Sequence, residues 1–86
     1  MQTSLFIRLD KLANSKTNTG FLPISRASVL RYCREGLFPP PIKLGPRITA
    51  WSVEEIGIYT KARQAGASDI DIRKLVEDLV KRRLAL

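Results

Sequence analysis

The stretch SRASVLRYCREGLFPPPIKLGPRITAW, Ser25 to Trp51, decides the fold through its punctuation. Ser25 is a residue type that caps a helix by accepting a backbone N–H, and Gly36 is the type that ends one in a left-handed turn. Between them the spacing predicts a helix from Arg26 to about Glu35. Val29, Cys33 and Gly36, spaced by four and three, form its buried stripe, with Tyr32 beside it. Arg26, Ser28, Arg31 and Arg34 fall largely on the other side, a layout suited to lying against phosphates and base edges. Leu30 points with the arginines, either to pack locally or to meet a thymine methyl.

Downstream, Leu37 to Ile42 reads LFPPPI. Three consecutive prolines favour extended backbone and forbid helix, so the segment is a rigid connector. It lacks the PxxP spacing of a ligand for a proline-recognising module. Two runs of strand-forming residues follow, Ile42-Lys43-Leu44 and Ile48-Thr49-Ala50, around Gly45-Pro46-Arg47. Gly and Pro favour a turn between them. Alternation of Ile42 and Leu44 with Lys43 predicts a strand with one buried and one charged face. The result is a hairpin with Lys43 and Arg47 as cations on its outer face and near its tip. Trp51 then anchors the hairpin on the helices, and base stacking is its sharper alternative. Cys33 reads as a small core residue ahead of a redox site.

On the N-terminal side, Leu5, Leu9 and Leu12 lie at helical spacing, with Asp10 as the expected N-cap of a short first helix. The polar segment NSKTNTG, Asn14 to Gly20, reads as a loop. On the C-terminal side, Ser52 and Glu55 form an S-x-x-E capping box, and Val53, Ile56, Tyr59, Thr60 and Arg63 mark the inward face of the helix that follows. Gly66 ends it, and Ser68 with Asp71 opens another. That last helix carries an apolar stripe of Ile72, Leu75, Val76, Leu79 and Val80. Its expected i,i+4 pairs are Asp69–Arg73, Glu77–Lys81 and Asp78–Arg82. Helix, longer loop, helix, proline bridge, hairpin, helix, helix is the order of a winged helix-turn-helix, mainly α with a small β-hairpin. Residues 1–66 make the DNA-binding portion and 67–86 an added amphipathic helix. The stripe packs on its own domain or serves self-association on DNA.

Composition narrows the partners. The 86 residues make one small domain with net charge +7. Residues 1–51 hold eight bases and two acids, whereas 52–86 hold seven and six. Positive charge confined to one half implies a polyanionic partner. A single cysteine forms no internal disulfide, and without histidine a zinc site has no plausible ligand set. No apolar run reaches the roughly 20 residues of a membrane span, and the N-terminus lacks a signal-peptide layout, so a cytoplasmic protein is expected. No Gly-rich phosphate loop, histidine-activated nucleophile or obvious spaced carboxylate pair is present. No catalytic residue, metal, cofactor or small-molecule ligand is expected, and the chain reads as a binding protein.

Ser25 to Trp51 resembles the AlpA family of phage-type regulators, which overlaps with small excisionases, or recombination directionality factors, of prophages and integrative elements. The likeness rests on Arg8-Leu9, Ser25-Arg26-x-Ser28, Arg31, Glu35-Gly36, Phe38-Pro39 and Pro41. It continues through Lys43-Leu44-Gly45, Pro46-Arg47, Trp51 and Ile56, covering roughly residues 7–60. The resemblance implies a MerR/excisionase-like winged helix-turn-helix on duplex DNA, with Ser25, Arg26, Ser28 and Arg31 in the recognition region and Arg47 in the wing. The chain departs from it in the excess loop NSKTNTG, where Lys16 is an extra candidate phosphate contact, and in the added last helix.

Three functions are compatible with these residues. One is an accessory factor that binds attachment-site DNA and promotes excision by an integrase of the tyrosine recombinase class. Another is a transcriptional regulator of phage or integrative-element genes. A third, of a different class, is an interaction module whose last helix captures an integrase or response regulator.

Overall fold

The computed structural model describes residues 5–14 and 20–83. Its elements run β1 (Phe6–Ile7), α1 (Leu9–Leu12), α2 (Arg26–Arg34), β2 (Ile42–Gly45), β3 (Ile48–Ser52), α3 (Val53–Gln64) and α4 (Asp69–Arg83). The strands form an antiparallel sheet in the order β1-β3-β2. Helices and hairpin follow the order of a winged helix-turn-helix with an added C-terminal helix.

The expected first helix is corrected at its start. Leu5 is exposed, Phe6 and Ile7 pair with Ser52 and Trp51 as a strand, and the helix begins only at Leu9. Arg8 is the N-cap residue, making no side-chain cap, and Asp10 sits inside the first turn. A carboxylate there favours the positive end of the helix without supplying the cap. Leu12 and Ala13 are fully buried.

From Gly20 onward the chain lies against the end of α1. Phe21 N–H donates to the Lys11 carbonyl at 2.8 Å and Leu22 N–H to that of Leu12 at 2.9 Å. Carbonyls that a helix end would leave unpaired are thus satisfied from across the loop. Asn14 Oδ1 accepts from Gly20 N–H at 2.7 Å and closes the loop base. Gly20 is obligatory, because a Cβ there would lie 2.3 Å from the Ala13 carbonyl carbon. The extra length therefore leaves the junction between α1 and α2 pinned. Lys16 lies outside the described residues.

α2 begins and ends as its punctuation requires. Ser25 Oγ accepts from Ser28 N–H at 3.1 Å, and Gly36 adopts φ +74. The proline bridge proves to be part of the core. Phe38 is fully buried with its ring edge-on to Tyr59 at 4.8 Å, and Leu37 is also buried. Trp51 is buried, its indole bonded to the Pro39 carbonyl.

Ser52 Oγ caps α3 through Glu55 N–H, but the Glu55 carboxylate leaves the expected box and pairs with Arg83 of α4. At the start of α4 the box is reciprocal: Asp71 N–H donates to Ser68 Oγ, and Ser68 N–H to Asp71 Oδ2. Of the expected helical pairs Asp78–Arg82 is present at 2.8 Å, whereas Asp69 turns to Arg63 at 3.2 Å. Arg73 instead reaches the Glu35 carbonyl at 3.1 Å.

The stripe on α4 faces its own domain. Ile72, Val76 and Leu79 are buried, and Leu75 and Val80 are half-buried. Ile72 and Val76 share one core cluster with Leu12, Val29, Phe38, Trp51, Ile56 and Tyr59. Residues 67–83 thus build the same core as the portion before them.

Candidate nucleic-acid interface

The recognition helix presents its cations outward. Arg26, Arg31 and Arg34 are exposed, while Val29 beneath them is fully buried and Tyr32 and Cys33 are half-buried. The Arg31 guanidinium lies over the Tyr32 ring at 5.2 Å, which holds its planar fork at the surface. Ser25 and Ser28 bond to each other through their hydroxyls at 3.0 Å, so both belong to the cap as well as to the outer face. Leu30 is exposed among the arginines.

Beside the helix stands the hairpin of β2 and β3. Ile42 pairs with Ala50, Lys43 with Thr49 and Gly45 with Ile48, with an irregularity between Lys43 and Gly45. The expected alternation fails at that irregularity: Leu44 is 47% exposed, so the buried face stops at Ile42. Lys43 and Arg47 are exposed, with Pro46-Arg47 forming the turn.

The bridge between helix and wing is tied at both ends by α4. Arg73 Nε donates to the Glu35 carbonyl at the end of α2. Ten residues on, Arg83 Nη2 donates to the Pro40 carbonyl at 2.8 Å and Nε to Glu55 Oε2 at 2.8 Å. At a rise of about 1.5 Å per residue these two arginines stand about 15 Å apart along one rigid rod. The separation of recognition helix and wing is fixed by that rod.

Burial pushes the Cys33 thiol above its ordinary pKa, against a smaller opposing effect of its hydrogen bond with Trp51. A neutral thiol facing the Pro39 carbonyl at 3.6 Å suits a packing role.

Charge pairing divides the molecule. Among the described residues the ion pairs are Arg63–Asp69, Arg82–Asp78 and Arg83–Glu55, all within α3 and α4 or joining them. Among the described residues none of the cations on α2 or the wing has an acidic partner. A cleft of about 350 Å³ lies where the start of α1, the first turn of α2 and the wing meet. Arg8, Leu9, Asp10, Arg26, Arg47 and Thr49 line it. Arg8 is the one residue of this face that the local sequence patterns leave out. It is adjacent to Arg26 and Arg47 only through the pairing of β1 with β3, although its place in the family likeness was a signal.

The sequence pattern of the family described as Prophage CP4-57 regulatory protein (AlpA) matches residues 8–63. The chain belongs to the AlpA family. The match runs from Arg8 across α2 and the wing to Arg63, so it takes in Arg8, Arg26, Arg31, Arg34, Lys43 and Arg47. AlpA-family proteins are phage-type DNA-binding regulators and not enzymes, and Arg8, α2 and the wing all lie in the portion this AlpA-family chain shares with them. No curated protein and no solved structure matches the chain significantly. No helix among its described residues is long and apolar enough to cross a membrane.

Proposed function

We propose that this AlpA-family chain binds a specific duplex DNA site as an accessory factor of a mobile element, promoting excision by that element's integrase. In this reading α2 enters the major groove and the wing tracks the neighbouring backbone or minor groove. One observation carries it: among the described residues the exposed cations of α2 and the wing have no acidic partner, and every ion pair lies within or between α3 and α4. In this reading Arg31 and Arg26 meet base edges, and Lys43 and Arg47 meet phosphates. Because Ile72, Val76 and Leu79 are buried in its own core, α4 acts with the winged portion as one unit. Contacts between protomers on adjacent sites would fall to surfaces other than the buried part of the α4 stripe.

A transcriptional role is the second reading, favoured by the family's description as regulatory. Both are tested with the integrase of the same element and a plasmid carrying its attachment sites. The protein is expected to retard attachment-site fragments ahead of unrelated duplex and to raise excision at least about tenfold. Retardation of promoter fragments without any effect on excision would favour the regulator. Equal retardation of every duplex would remove sequence specificity from both readings and leave the interaction module.

A further inference from the structure

We infer that the cleft between α2 and the wing is a clamp for a single backbone phosphate, closed by Arg8, Arg26 and Arg47 together. The inference rests on the DNA-binding reading and deepens it.

Three arginines line one cleft with a single acidic residue, Asp10, and among the described residues none of the three is in an ion pair. Like charges gathered without partners destabilise the folded chain, and an anion seated among them relieves the repulsion. Guanidinium forks match the oxygen geometry of a phosphate, so several can share one group from different sides. Thr49, whose side chain carries a neutral donor, lines the cleft on the wing side. Arg26 opens α2, so the cleft also adjoins the positive end of a nine-residue helix. A volume of about 350 Å³ leaves room for a phosphodiester with part of its sugars.

Groove geometry supplies the rest. One sugar–phosphate strand separates a major groove from the minor groove beside it. A helix in the first and a wing over the second must straddle that strand, and the cleft is where these two elements part. This assignment moves Arg26 from reading bases to holding the backbone, and it adds Arg8 from outside the helix and wing. Specificity is left to Arg31 and Arg34, farther along α2.

The clamp is tested first with inorganic phosphate and the intact chain, following the arginine Nε–Hε signals by NMR. Signals of Arg8, Arg26 and Arg47 are expected to shift together while those of Arg31 and Arg34 stay. Equal shifts at all five would mean a diffuse basic surface and overturn the clamp. The second arm measures the salt dependence of duplex binding for wild type and for Arg8→Ala, Arg26→Ala and Arg47→Ala combined. Loss of one shared phosphate lowers the slope of log K against log salt by about 0.9, whereas three separate contacts lower it by about 2.7. The smaller change is expected, and the larger overturns the clamp while leaving DNA binding intact. If the three signals shift with phosphate but no duplex binds, the DNA reading fails and the clamp on a duplex fails with it, leaving only an anion site.

Discussion

The indole Nε1 of Trp51 donates to the Pro39 carbonyl oxygen at 2.9 Å, and both groups are buried. This bond joins the last strand of the wing to the bridge that leaves the recognition helix. Replacing Trp51 by Phe keeps a ring and removes the donor, leaving a buried carbonyl with only the weak Cys33 thiol. A buried acceptor losing its partner costs about 1–3 kcal/mol, and urea denaturation should show the loss as a lower midpoint with unchanged slope.

Trp51 is also the single tryptophan of the chain. Being 2% exposed, it is out of reach of a base, so duplex DNA should leave its fluorescence nearly unquenched. Strong quenching on binding would mark it as a stacking residue instead.

Arg31 should govern discrimination. Loss of a bidentate contact to a base costs about 1–3 kcal/mol against the wrong sequence. Competition binding of Arg31→Ala should show cognate affinity falling and non-specific affinity nearly unchanged. An equal fall of both would make Arg31 a phosphate contact.

Arg83 holds α4 to the bridge and to α3. Its partners are half-buried or buried, with Glu55 9% exposed, so Arg83→Ala should destabilise by about 1–3 kcal/mol, less than a fully buried pair. Since 24% of its side chain remains exposed, part of the effect is screened and should shrink in high salt. Thermal melts at two salt concentrations check both points.

Ending the chain after Gly66 removes Ile72 and Val76 from the shared core cluster. Large apolar residues lost from a core cost about 2–5 kcal/mol each, comparable to the whole stability of a domain this small. Circular dichroism should show the truncated chain largely unfolded. A folded truncation that loses only cooperative DNA binding would return α4 to self-association.

Cys33 gives the alkaline behaviour a sign. Its folded pKa is raised, so the neutral thiol contributes stability present below the ordinary thiol value, about 8.5, and lost as pH rises through the folded value. Cys33→Ala should flatten the decline of stability above that pH, and alkylation of the native thiol should be slower than in urea.

Helix ends were the most legible part of the fold. Ser25, Gly36, Ser52, Gly66 and Ser68 each act locally, through a hydroxyl or a permitted backbone angle, and local chemistry is visible in a short window. β1 was not legible, because Phe6 and Ile7 become a strand only through β3, more than forty residues away. The same distance hid Arg8 from the cleft. Asp69 and Glu55 each had a plausible neighbour in sequence but took a partner from another helix, where tertiary packing brought a guanidinium closer. Leu44 escaped because a register irregularity breaks the alternation on which its burial was inferred. The outward cations of α2 were legible from spacing alone, since Val29 fixes which side is covered.

The base of the 14–20 loop gives the molecule an insertion port. Phe21, Leu22 and Gly20 are fastened to α1 and Asn14 without reference to how many residues intervene. Doubling the length of a loop closed in this way costs only about 0.6 kcal/mol. A peptide epitope or dye-binding tag placed between Asn14 and Gly20 should therefore leave α2 and the wing in register, and length drift at this point should be nearly neutral.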